Sequence, residues 1–427
     1  MVALGTLGLG LQAIGPVWAG QAGTPIRPDG RPIIELDGGT LRWDNGYNAD
    51  LSSRLVLGGG QISTLDTGTN QVVLSLPMAV NGLGRAGLIK SGSGVLDLRG
   101  NNTYQGPTTV AAGVLLANGS LAPASTVTVA SGATLGGDGT IGGPVFVLPG
   151  GELTPQGAFP ATLRITNRLQ VEGNLAFRVS RTEVPASPNS FSGQAPGVRV
   201  VLRSDQLSGI TAAVLGGSLD LGLGPGSDAL SGGERFILVQ AAECGGRTPL
   251  AGVLPGLGSS RNWWLGDLVQ NGTVRVNRWP VAADHPLRAE ENTAATIAAA
   301  SLLANDFDAD GDALDLIRVG SPRHGAASLA AGTVSYVPAV DYTGSDRFTY
   351  WVSDDHGGTA TAMVQVDVAP GQGVALRVVS GPTVRQGSFV VELAGIPGFT
   401  YSIEYSEKLS PANWLLRTNR FRDVCNG

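Results

Sequence analysis

Three short stretches of the chain repeat one another: "VAAGVLL" at 110–116, "VASGATL" at 129–135 and "VLPGGEL" at 147–153. The Val, the Gly three residues on and the final Leu recur at spacings of 19 and then 18 residues. Each unit reads as a short strand, a glycine turn and a second short strand. Such a unit cannot bury its apolar face alone, and stacking on its neighbours supplies the missing half of each core layer. The glycine belongs where the backbone turns with positive φ. The expectation is a parallel β-helix up to about residue 180. Elsewhere short alternating runs ("STVTVA", "RFTYWVSD", "AMVQVDV") are cut by Gly, Asn, Asp and Pro, so the fold class is all-β.

Composition narrows the functional classes. The 427 residues suggest about two to four domains. Glycine numbers 64 without a triplet period, which excludes collagen, and 42% hydrophobic residues exclude wholesale disorder. A net charge of −6 with no basic stripe argues against a nucleic-acid partner. The two cysteines, Cys244 and Cys425, form no disulfide framework or metal spacing and read as incidental thiols. The opening "MVALGTLGLGLQAIGPVWAG" resembles a signal peptide in its apolar run and its small residues near Ala19. It lacks a basic start, however, with Arg27 the first cation, and five glycines interrupt it. It reads instead as Gly-punctuated strand, with the true N-terminus lying upstream. No apolar run is long enough for a transmembrane helix.

Catalysis finds little to work with. The three histidines, His285, His324 and His356, all lie beyond residue 280, which excludes a His-dependent triad in the repeat region. A carboxylate pair for polysaccharide cleavage would come from adjacent rungs, yet Asp138 and Glu152 are 14 apart and Asp97 has no acidic partner at rung spacing. No catalytic residues and no organic cofactor are expected. Trp43, Tyr47, Tyr104, Trp263 and Trp264 offer rings for sugar stacking, or core filling.

Residues 87–115, "GLIKSGSGVLDLRGNNTYQGPTTVAAGVL", resemble the autotransporter-associated β-strand repeat. The matching positions include Gly87, Leu88, Lys90, Gly92, Gly94, Leu96, Leu98, Gly100, Asn102, Tyr104, Gly106, Thr108, Val110, Gly113 and Leu115. The resemblance implies a right-handed β-helix exported to, and displayed or released at, a bacterial surface. Autotransporters end in an outer-membrane barrel of alternating strands; no such series follows here. Residues 181–280 are expected to form an irregular end that caps the solenoid.

Composition shifts near residue 281, and half of the 34 acidic residues fall in the last 147 positions. Residues 281–369 show about seven short strands at sandwich spacing. The stretches "LLANDFDADGDALDL" and "SYVPAVDYTGSDRFTYWVSDDHGGTATAMVQVDV" resemble bacterial cadherin-like and immunoglobulin-like repeats. Residues 370–427, with "FVVELAGIPGFTYSIEYSEKLSPANW", resemble part of a fibronectin-like β module.

The acidic run "NDFDADGDALD" at 305–315 places Asp306, Asp308, Asp310 and Asp312 at alternate positions around Gly311. It resembles the start of an EF-hand loop, but Ile317 stands where that loop's bidentate Glu belongs and no helices are expected around it. A solvated turn is one alternative. The cadherin-like resemblance implies another, a Ca2+ site in which Glu290 or Glu291 joins Asp306, Asp308, Asp310 and Asp312 and stiffens a domain junction. Together these readings point to a non-catalytic extracellular or cell-surface protein of adhesive or structural role, with surface glycans or other surface proteins as partners. A polysaccharide-acting β-helix enzyme and a carbohydrate-binding surface protein are the alternatives.

Overall fold

The repeat spacing sets the register of the first unit, which spans Met1–Arg278. The computed structural model describes residues 33–371 except 59, 82–84, 186–197 and 249, together with the backbone of short strands on either side. Strands one turn of chain apart pair in parallel. One stack runs through Ile62–Asp66, Gly87–Ser91, Thr108–Val110, Val127–Val129, Val145–Val147 and Leu169–Val171. A second begins at Gln71–Leu74 and ascends through Val95–Leu98, Gly113–Ala117, Ala133–Gly137 and Glu152–Pro155 to Asn174–Pro185, Ser218–Leu223 and Leu250–Ala251. A third, narrower stack holds Asn101–Asn102, Ser120–Leu121, Thr140–Ile141 and Thr162–Ile165.

Side chains alternate about each strand, so in-facing positions form columns. Val110, Val129 and Val147 are paired in one column, and all are buried. Leu115, Leu135 and Leu153 form another, fully buried. The second column corrects the repeat read from sequence. Leu116, aligned there with Leu135, is half-exposed and pairs with Gly136. The turn before Ala133 carries one more residue than the turn before Gly113, so Leu115 occupies the core position.

Two polar devices tie rungs together inside the core. The Tyr104 hydroxyl lies 2.9 Å from Thr108 Oγ1, which lies 3.0 Å from Ser125 Oγ on the next rung; all three residues are buried. Asn102 accepts from the Met78 N–H of the preceding rung at 3.0 Å and donates to the Gly100 carbonyl of its own turn at 2.9 Å and to the Ser120 carbonyl of the next rung at 3.4 Å. Buried polar groups are tolerated because each has a partner.

Parallel pairing continues past residue 180 among the described residues. Asn174–Pro185 runs across it, and Gln206–Leu215 pairs in parallel with both Thr162–Ile165 and Leu169–Val171. Parallel stacking ends only after Val239–Gly246 and Leu250–Ala251. An antiparallel sheet follows, of Arg235–Ile237, Thr273–Arg278 and Arg261–Trp264, and its Phe236, Val274 and Val276 join the same core. At the other end, Leu11–Ile14 and Val17–Ala19 pair antiparallel with Thr40–Trp43 and Ile34–Leu36, so strands do form in the opening stretch.

The second unit spans Trp279–Gly427. Its sandwich has one sheet of four strands: His285–Glu290, Thr359–Ala369, Gly344–Ser353 and Asp315–Val319. The other sheet has Ala295–Ala298, Thr333–Pro338 and Gly325–Ala330. Strict alternation in Gly344–Ser353 sends Phe348, Tyr350 and Val352 inward, against Val364, Val366 and Val368 of the neighbouring strand. In the 370–427 region, Arg377–Arg385 pairs with Ser388–Ala394 and Ser402–Tyr405 with Leu415–Thr418, both antiparallel. Cys425 lies outside the described residues, and Cys244 is a half-buried free thiol whose pKa burial raises. Among the described residues no helix is long and apolar enough to cross a membrane.

Candidate metal centre

The acidic run lies on the connection from Ala295–Ala298 of one sheet to Asp315–Val319 of the other. A one-turn helix, Ala299–Leu302, and a 3-10 turn, Leu303–Asn305, deliver the chain to it. This single helical turn on the N-terminal side was not expected; on the C-terminal side the strand Asp315–Val319 follows. Phe307 is pinned by a reciprocal bridge to Val281: its N–H donates to the Val281 carbonyl at 2.9 Å and its carbonyl accepts from the Val281 N–H at 2.8 Å.

Asp308 organises the loop. Its Oδ1 accepts the backbone N–H of Asp310 at 2.8 Å and of Asp312 at 3.2 Å. Those bonds curl the chain so that the next two acids turn back beside the first, and Gly311, at φ +80°, supplies the left-handed residue the curl requires. The result is that one carboxylate oxygen from each of Asp308, Asp310 and Asp312 lies within 4.8 Å of the others. Two oxygens bound to a common Ca2+ at about 2.4 Å can be at most about 4.8 Å apart, so each pair meets the spacing that sharing one ion requires. Asp308 is only 7% exposed, and its Oδ2 is buried without a hydrogen-bond partner. A buried carboxylate oxygen with nothing to accept from is costly unless a cation meets it. The Nδ1 of His356, from the turn after Gly344–Ser353, lies 3.4 Å from Asp312 Oδ2.

The structure separates the remaining acids. Asp306 Oδ1 accepts from the Ala283 N–H at 2.8 Å and lies 2.9 Å from the Tyr350 hydroxyl, so that oxygen is committed to the fold; its Oδ2 is buried without a hydrogen-bond partner. Burial first, and then the hydrogen bond to Asp306 and its charge, raise the Tyr350 pKa. Glu291 is not gathered with the cluster. It follows His285–Glu290, which runs parallel to Thr359–Ala369 with Glu290 opposite Ala369. Its Oε2 accepts from the Gly371 N–H at 3.3 Å. The cluster instead faces the turn before Thr359, and ten residues of strand separate the two ends, about 33 Å. Glu290, the last residue of the same strand, is exposed at that far end. The cadherin-like resemblance implied that Glu290 or Glu291 meets the loop; the direction of this strand places both at its other end.

The other acidic motif residues are structural. Asp346 accepts from the N–H groups of Arg323 and Arg347 and from the Tyr336 hydroxyl at 2.9 Å, and Asp354 accepts from the N–H of His356 at 2.8 Å and Gly358 at 2.9 Å. In the repeat unit, Asp97 is held by Arg99 at 2.8 Å and Asn118 at 2.8 Å. Glu152 and Asp220 both accept from Asn174, a bridge across rungs that fixed 18- or 19-residue spacing does not reveal because the later turns are longer. Trp43 and Tyr104 are fully buried. Tyr47 is half-buried against the core, and the half-buried Trp263 and Trp264 donate their indole N–H to the Pro255 carbonyl and to Asp267.

A family model for the passenger-associated-transport repeat matches residues 88–117, and one for the bacterial Ig domain matches residues 277–367. Among characterised proteins, the chain is similar to the adhesin BmaC autotransporter of Brucella suis biovar 1 (strain 1330), at 32% identity over 116 residues. That alignment covers 26% of this chain and 3% of the relative, so the chain spans only a small part of the protein it matches.

Proposed function

From a chain that carries a passenger-associated-transport repeat and a bacterial Ig domain, we infer a segment of a surface-displayed bacterial adhesin or architectural protein, without catalytic activity. The observation that carries this reading is the repeat itself, together with the likeness to a protein named as an autotransporter adhesin. In this reading the parallel stacks wind as a right-handed β-helix, a stalk whose rungs each add a layer of buried Val and Leu. The carboxylates on the stack support a non-catalytic role: Asp97, Glu152 and Asp220 are spent on inter-rung hydrogen bonds.

The Ig domain adds a Ca2+ site formed by Asp308, Asp310 and Asp312. The support is the 4.8 Å grouping of their oxygens and the buried, unpartnered Asp308 Oδ2. Three carboxylates supply three to six of the six to eight oxygens that Ca2+ takes. The ion neutralises their mutual repulsion and locks the loop against the sandwich. Binding to the folded state alone at a hundred times Kd adds about 2.7 kcal/mol, which for a domain of this size raises Tm by roughly 10 °C or more. Millimolar Ca2+ is expected to raise the melting temperature and EGTA to reverse it, with Asp310→Asn and Asp312→Asn combined abolishing the shift. An unmoved melting curve with no Ca2+ uptake by titration calorimetry would remove the metal from this account.

A further inference from the structure

The three-carboxylate loop opens into a cleft of about 580 Å3 between the sheets, a size that suits a small ligand. Leu303, Leu314, Leu316 and Leu329 line it beside Asp308 and Asp312. At its rim stands Phe307, 62% exposed although its backbone is fixed by the bridge to Val281. A large aromatic ring left in solvent on a fixed backbone beside the three carboxylates buries little of its surface for the fold.

We propose that the cation in this loop keeps open coordination positions toward the cleft, and that the hydroxyl groups of a neutral glycan fill them while a sugar face stacks on Phe307. The inference rests on the Ca2+ reading above. The three aspartates supply three to six of the six to eight oxygens, Asp306 Oδ1 is committed to Ala283 and Tyr350, and the leucines on the cleft wall carry no oxygen in their side chains, so positions toward the cleft are left for a ligand. Charge selects the class of donor. Three carboxylates around a divalent ion leave one negative charge, and Asp306 and Asp315 line the same cleft, so an anionic ligand meets repulsion that neutral hydroxyls do not. Vicinal hydroxyls present two oxygens to one ion, and the apolar C–H face of a pyranose matches an exposed phenyl ring.

The test uses the whole chain in two steps. Titration calorimetry with CaCl2 alone first reports the metal; its failure would remove the Ca2+ reading itself. With the metal bound, an array of neutral and sialylated glycans is probed in Ca2+ and in EGTA, with wild type and Phe307→Ala. The expected result is retention on neutral glycans that EGTA abolishes. Phe307→Ala should weaken it by roughly three- to tenfold, the worth of one aromatic stacking contact, while its CaCl2 titration stays unchanged. No retention on neutral glycans, retention that survives EGTA, preference for the sialylated set, or a Phe307→Ala protein that binds as wild type would each overturn the proposal while leaving the metal site standing.

Discussion

Lys90 is one of two lysines in the chain and its side chain is fully buried. It occupies the in-facing position paired with Val110, in the column that continues through Val129 and Val147. An ammonium is tolerated there because it donates to the carbonyls of Ser91 at 2.8 Å, Gly92 at 2.7 Å and Ala112 at 3.0 Å. Burial still pulls its pKa down to about 8, against a smaller upward pull from Asp66. Below that pH folded and unfolded chains both carry the charge. Between about 8 and 10.4 the unfolded chain holds the proton that the folded one has released, so stability rises with pH there, by as much as roughly 3 kcal/mol. Above about pH 10 the sign reverses, because Tyr104, Tyr336 and Tyr350 have raised pKa values and only their unfolded forms ionise. Urea unfolding of wild type should therefore show a rising limb that Lys90→Met lacks; parallel curves for the two proteins would refute the assignment. That Lys90 faces inward was legible from its place two residues after Leu88. The carbonyl cradle was not, since one of its members comes from the next rung.

At the scale of the element, the repeat motif is a statement about close approach as much as about burial. Gly113 has φ +65°, and a Cβ there would stand 2.4 Å from the Gly94 carbonyl oxygen of the preceding rung. Gly100 has no left-handed backbone, yet a Cβ would stand 2.2 Å from Pro77 N. Both glycines let neighbouring rungs come within strand-pairing distance, and the sequence shows them only as periodic symbols. The same turn decides which leucine is inside. Leu115→Ala should cost about 2 to 5 kcal/mol, as for other fully buried leucines, whereas Leu116→Ala should stay below about 1 kcal/mol. Equal losses in urea melts would mean the outward face is covered. A simple overlay of "VAAGVLL" on "VASGATL" reverses this expectation, because it cannot see that one turn holds an extra residue. The Ig domain was read more completely, since strict alternation from Asp346 to Val352 encodes both strand and face. What escaped there was strand direction: the first strand runs parallel to the last, and that carries Glu291 away from the aspartates.

At the scale of the molecule, the two hydrophobic cores found among the described residues share no residue. One runs from Ile34 to Val276 through the stacked rungs, and the other is built from Ala289, Leu302, Val334 and the buried positions of Gly344–Ser353 and Thr359–Ala369. Cooperativity follows contiguous packing, so each core should unfold as its own unit, and a perturbation confined to one should leave the other's transition in place. Scanning calorimetry of the full chain should resolve two transitions. Ca2+ should raise only the one assigned to the Ig domain, because every proposed ligand lies within it. Leu115→Ala should lower only the other, because Leu115 belongs to the core of the stacked rungs. The two perturbations together should then add, each moving its own peak by the amount it moves alone. A single peak that shifts as a whole with Ca2+ and with Leu115→Ala alike would show that the two cores are energetically one. In that case Ca2+ would stabilise the stacked rungs as well as the Ig domain.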